Sequence, residues 1–109
     1  MSTMKPLHHP QTDDLALETV LGALSDPGRL AIVAQLAASG ELACRDLDIG
    51  VAPSTASHHC KTLREAGVVR TRAQGTERLM TLRREDLDAR FPGLLTAILE
   101  AIPPRPPRN

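Results

Sequence analysis

Leu17, Val20, Leu21 and Leu24 recur at i, i+3, i+4 and i+7, the rhythm of one buried helix face. Asp13 and Asp14 ahead of them suit a helix N-terminus, so a first helix is expected from there. The stretch SDPGR interrupts it. Asp26 as N-cap and Pro27 at the first helical position predict a second helix through Leu30, Ile32, Val33, Leu36 and Ala37, stopping near Ser39–Gly40. Leu42 and Leu47 predict a short third helix over about 42–48. DIGVAP then reads as a turn in which Gly50 can take the left-handed conformation. Pro53 opens a fourth helix, which ends with Gly67 in the C′ position. Beyond Gly67 the period changes: residues 68–72 and 78–82 flank AQGTE, the pattern of a β-hairpin. A last helical stripe carries Phe91, Leu94, Leu95, Ile98, Leu99 and Ile102, with Pro92 in its first turn and 86–90 as a separate turn of helix.

A helix-turn-helix followed by a hairpin predicts a winged helix, mainly α with a small β-hairpin. One domain is expected over residues 13–102, after a flexible lead-in at 1–12 and before a disordered proline-rich tail at 103–109. The 109 residues fit a single modest core, and 41% hydrophobic content is ordinary globular usage. Phe91 is the only aromatic residue, so the core must be aliphatic. No apolar run approaches the roughly 20 residues of a membrane span, and MSTMKPLHHPQT lacks the apolar stretch of a secretory signal. A cytoplasmic protein with two reduced cysteines is the expectation.

Net charge is zero, but its distribution is not even. Residues 1–53 carry three basic side chains against seven acids, whereas residues 54–84 carry seven against two. A phosphate backbone responds to that local excess, not to the net value. At 100° per residue, Ala56, Cys60, Leu63 and Gly67 share one sector of the fourth helix, and Ser54, His58, Lys61, Thr62 and Glu65 lie opposite. Thr55 and Ser57 flank the outer face. Small hydroxyls and a histidine at a helix N-terminus suit base edges in a major groove. Lys61 and Arg64 can reach phosphates, and Arg70, Arg72, Gln74 and Arg78 place further donors on the hairpin. A solvated polar face is the plainer account of such a helix, but the basic hairpin that follows favours DNA. Without aromatic platforms for stacking, duplex DNA is a better partner than a single strand.

The segments ALSDPGRLAIVAQLA, ELACRDL and STASHHCKTLREAGVV resemble the ArsR/SmtB family of bacterial winged-helix repressors, over roughly residues 15–100. The resemblance implies a homodimer joined through its first and last helices, here Leu17, Val20, Leu21 and Leu24 with Phe91, Leu94, Leu95, Ile98, Leu99 and Ile102. It also implies a repressor that occupies a palindromic operator and leaves when an inducer binds; the sequence does not name that inducer. One metal site of the family uses two cysteines bracketing a single residue in the third helix. Ala43 and Arg45 hold those positions here, and Cys44 lies between them. Another uses Asp and His on the last helix. The nearest match is Asp88–Ala89–Arg90, and no histidine follows His59. Neither site is present, so no metal or other cofactor is expected.

Cys44 and Cys60 should both face inward across the turn, where they are either small apolar filler or a thiol switch. A metal-responsive repressor with a non-standard site drawn from His8, His9, His58, His59 and these cysteines is a competing reading. So is a winged helix that binds proteins rather than DNA. An enzyme is not expected: there is no glycine-rich phosphate loop, and Ser57 and His58, adjacent on a helix, diverge too far to act as nucleophile and base.

Overall fold

The computed structural model describes residues 7–103; residues 1–6 of the expected lead-in and 104–109 of the expected tail lie outside the described residues. The elements are α1 (Leu17–Ala23), α2 (Pro27–Ser39), β1 (Glu41–Ala43), α3 (Pro53–Glu65), β2 (Val69–Gln74), β3 (Glu77–Leu82), α4 (Arg84–Arg90) and α5 (Leu94–Ala101). Single 3-10 turns precede α1 at Thr12–Asp14 and follow β1 at Cys44–Asp46. The winged helix-turn-helix expected from the pattern is therefore present, with five helices against one small sheet.

Local signals act as anticipated around α2. Asp26 accepts from the backbone N–H groups of Gly28 at 2.8 Å and Arg29 at 3.1 Å, with Pro27 in the first turn. Those two bonds, the Arg29 one foremost, hold the Asp26 carboxyl below the usual carboxylate range. Replacement by alanine is expected to cost about 1 kcal/mol. Because the folded pKa is depressed, the cap's contribution is full above pH ~4. It should fade as pH falls through the lower folded value, and urea midpoints of Asp26→Ala and wild type should converge there.

Three assignments differ from the sequence pattern. The acids Asp13 and Asp14 form the 3-10 turn, and α1 starts only at Leu17. The third helix expected over 42–48 is instead strand β1 followed by the Cys44–Asp46 turn. Its physical cause is the free edge of β3: Glu41, Leu42 and Ala43 pair antiparallel with Thr81, Met80 and Leu79. Ladder hydrogen bonds to β3 satisfy this backbone, leaving too few residues before Pro53 for a stable α-helix. The sheet thus has three strands, ordered β1-β3-β2, rather than the two of the hairpin alone. The Gly75–Thr76 turn joins β2 to β3, with Gly75 at φ 61° as a tight hairpin turn requires. At the other end, Pro92 lies in the break between α4 and α5 rather than within the last helix.

The core is aliphatic. Leu15, Val20, Ile32, Val33, Leu36, Leu63, Val68, Val69 and Met80 are fully buried, and each such side chain contributes roughly 1.5–3 kcal/mol by leaving water. Ahead of α1, His9 accepts the backbone N–H of Thr71 on β2 through Nε2, at 3.0 Å. Its Nδ1 then carries the proton and donates to the carbonyl of Leu7 at 3.0 Å. Burial pushes the His9 imidazole below its ordinary pKa, and Pro10 accepts from buried Arg83 at 2.7 Å. No described helix is long and apolar enough to cross a membrane.

Candidate nucleic-acid interface

Helix α3 has two unlike sides. Ser54, Thr55, Ser57, His58 and Lys61 are exposed, whereas His59, Cys60 and Leu63 are buried. Thr62 and Arg64 are half-buried at the margin, and Ala56 packs beneath. Leu63, wholly buried, anchors the helix on the core so that the polar face is held outward. On the wing, period-two alternation turns Val69 and Thr71 inward and Arg70 and Arg72 outward, with Gln74 and Arg78 also exposed.

The basic cluster is less uniform than its composition. Arg83 is buried, donating from Nε to Asp86 at 2.8 Å, and serves the fold. Arg70 lies 3.5 Å from Asp86, and Arg72 bonds Glu41 at 3.0 Å and Gln74 at 2.7 Å. Arg45 pairs with Glu77. Among the described residues, Lys61 and Arg78 have no acid within ion-pair distance. Exposed pairs like that of Arg72 are weak, about 0–1 kcal/mol, so those guanidinium groups can exchange an acid for a phosphate.

The four histidines do not converge. His8 and His58 are exposed, His9 braces the β2 edge, and His59 is 8% exposed between α3 and the start of α2. Arg29 donates to His59 Nδ1 at 3.1 Å, and Asp26 lies 3.6 Å from Nε2. Since arginine can only donate, Nδ1 is the acceptor and the ring proton sits on Nε2, facing Asp26. The helix projection left His59 without a role; it ties the candidate reading helix to the cap of α2. Its signal in the sequence was only adjacency to Cys60 on the inward side.

Cys44 and Cys60 do meet, with Sγ atoms 2.8 Å apart. Cys60 is buried, and Cys44 is half-buried at the foot of β1. No three His, Cys, Asp or Glu side chains among the described residues are grouped to hold a metal ion. Nor do the family's metal positions fit: Ala43 is paired to Leu79 in the sheet, and Arg45 points to Glu77.

The expected dimer residues divide by burial. Val20, Leu24 and Leu95 turn into the chain's own core and are unavailable to a partner. Leu17 and Leu21 are each 44% exposed, and Phe91, Leu94, Ile98, Leu99 and Ile102 are half-buried.

Comparison with known proteins agrees with this architecture. The family model for bacterial regulatory proteins of the arsR family matches residues 26–71, from the cap of α2 into β2. The uncharacterized HTH-type transcriptional regulator YceK of Bacillus subtilis (strain 168) is 38% identical over 91 residues, 81% of this chain and 91% of that protein. The arsenical resistance operon repressor of Staphylococcus xylosus is 40% identical over 74 residues, 66% and 70% of the two chains. Among solved structures, an ArsR family transcriptional regulator superposes with a TM-score of 0.61 at 25% identity, covering 75% of this chain and 84% of its own. A possible transcriptional regulatory protein from Mycobacterium bovis gives 0.59 at 29% identity, covering 77% and 90%. A capped α2, a half-exposed α3 and a basic wing, in a chain with these relatives, identify it as a transcriptional regulator belonging to the ArsR family of bacterial regulatory proteins.

Proposed function

We propose that the protein is a cytoplasmic homodimeric repressor that occupies a palindromic operator in duplex DNA and is released when its thiol pair is modified. The observation carrying this reading is the α3 surface. Five consecutive-turn polar side chains, Ser54, Thr55, Ser57, His58 and Lys61, project from a helix whose opposite side is locked into the core. Ser54, Thr55, Ser57 and His58 would read base edges in the major groove. Lys61, Thr62 and Arg64 would contact the flanking phosphates, as would Arg70, Arg72, Gln74 and Arg78 from the wing. Leu17 and Leu21 of α1, with the half-buried residues of α5, supply the apolar surface through which a second copy would bind. Two-fold symmetry would then set paired α3 helices about 34 Å apart, one turn of duplex.

Selection of bound fragments from genomic DNA, followed by a salt series on the enriched site, tests the proposal. Lys61→Ala and Arg78→Ala should each weaken binding to all sequences and reduce the salt slope by about 1. His58→Ala should instead change sequence preference, by about 1–3 kcal/mol at the position read. Binding that is weak and insensitive to salt would overturn the operator reading and favour a protein-binding winged helix.

A further inference from the structure

Beneath the exposed face of α3 lies a cavity of about 740 Å³, walled by the segment after β1, the inner side of α3 and the base of the wing. Leu47, Ile49, Val51 and Met80 give it apolar walls, and Cys44 and Cys60 both line it. Two further residues of the lining carry an unanswered demand. The Thr71 hydroxyl, on a residue 7% exposed, and Arg64 Nε are buried with no hydrogen-bond partner among the described residues. A buried donor left unsatisfied costs free energy, so a small movement of the wall that brought either group to a ligand's oxygen would be favoured. Ser57, Lys61 and Arg78 line the same cavity, so its occupant would sit against the proposed DNA surface.

We propose that this cavity binds a small α,β-unsaturated carbonyl compound and that Cys44 captures it covalently. The inference rests on the thiol-responsive repressor reading above and gives the effector a chemical class. The paired geometry supplies the reactivity. The two Sγ atoms lie 2.8 Å apart, and once Cys44 ionises the more buried Cys60 is left to donate its S–H to the Cys44 thiolate. That hydrogen bond, helped by the charge of Arg78 and opposed by burial, pulls the Cys44 thiol down to about 7. The same bond and burial push Cys60 up, so Cys44 is the thiol of the pair that ionises first. Cys44, half-buried rather than buried, is the accessible nucleophile.

In the addition, a lone pair of the Cys44 thiolate forms an S–C bond to the β-carbon. The C=C π bond breaks, and its electrons move to the carbonyl oxygen, giving an enolate that the Thr71 hydroxyl and Arg64 N–H stabilise. The Cys60 proton passes to the α-carbon, and the Cys60 thiolate left behind takes a proton from water. Nothing is oxidised or reduced, and no co-reactant is needed. A peroxide would use the thiols but neither the apolar walls nor the two unpartnered donors. Alkylation removes the Cys44 acceptor from the 2.8 Å contact with Cys60, and the adduct, lodged in the cavity against the inner side of α3, would shift that helix from the β1 side. Such a shift would disturb the reading face.

The test uses the full chain, reduced, with methyl vinyl ketone as probe. Intact mass and peptide mapping should show a single adduct on Cys44, forming faster than on free cysteine and slowing as pH falls below about 7. Thr71→Val should slow this addition roughly five- to tenfold, the effect of one lost hydrogen bond. The same variant should leave the rate unchanged toward dithiodipyridine, a thiol probe without a carbonyl oxygen, and should bind DNA as wild type does. An adduct placed first on Cys60 or a histidine would overturn the proposal, as would an unchanged ketone rate in Thr71→Val. Operator binding is measured in parallel, with Cys44→Ala as the variant that should stay bound in the presence of the ketone. Rapid, Thr71-dependent labelling without operator release would uphold the site and overturn the thiol-responsive repressor reading alone.

Discussion

Gly67→Ala is expected to destabilise the protein by about 2–5 kcal/mol, read as a fall in the urea midpoint at constant slope. Two independent causes add. Gly67 has φ 86° and closes α3: its own N–H bonds Arg64 and the next N–H, of Val68, bonds Leu63, both at 3.0 Å. This paired closure requires a left-handed residue, which costs an L-amino acid with a Cβ roughly 1–2 kcal/mol. The second cause is space. A Cβ at this position would overlap Leu15 Cδ2 and approach Pro10 Cγ to 3.1 Å, and Leu15 is 1% exposed with little room to move. Overpacking of that kind costs a further ~1–3 kcal/mol. Leu15→Ala in the same chain should remove the second part only, so the double variant should lose less than the two single losses combined. A loss below ~1 kcal/mol in Gly67→Ala would show that the segment before α1 does not pack against this turn.

Arg83→Met should cost about 2–3 kcal/mol. Arg83 is 5% exposed, and its guanidinium bonds Asp86 at 2.8 Å and the Pro10 carbonyl at 2.7 Å, so its loss leaves a carboxylate and a carbonyl without that donor. Breaking a fully buried pair typically costs ~3–5 kcal/mol; the Asp86 side chain is 26% exposed, and water softens the penalty. The pH dependence gives an independent check. Hydrogen bonds from Thr12 and then Arg83 hold the Asp86 carboxyl below the ordinary carboxylate range. A depressed folded pKa stabilises fully above pH ~4, and that stability is lost as pH falls through the folded value. In Arg83→Met only the 2.6 Å Thr12 bond and the longer Arg70 contact remain, so acid should remove less stability than in wild type. Identical acid profiles in the two proteins would show that Arg83 does not bind Asp86 in solution.

Arg83 also shows where composition misleads. It counts among the seven basic residues of 54–84, yet it belongs to the fold rather than to any binding surface. Burial of a cation depends on which acid and carbonyl the chain brings to it, here Asp86 close by and Pro10 far away in sequence. The third-helix segment illustrates the same limit. Leu42 and Leu47 suit a helix face, but the first two residues of the segment, Leu42 and Ala43, meet the edge of β3, nearly forty positions later. Ladder bonds from a distant strand override a weak local preference, and no window around Leu42 contains that partner.

The sequence by itself determined the features whose causes lie within a few residues. Asp26–Pro27 starts α2, Gly67 ends α3, Gly75 turns the hairpin, and the 100° projection divides α3 into its exposed hydroxyl side and its Cys60–Leu63 side. Caps, turns and helix faces follow from backbone torsions and i, i+4 neighbours, which a linear reading contains. Only the tertiary structure decided the rest: β1 in place of a helix, Arg83 buried, His59 between Arg29 and Asp26, and two thiols 2.8 Å apart over a cavity with two unpartnered donors. Each depends on which distant segments pack together, and that is settled by burial of the whole aliphatic core rather than by any local pattern.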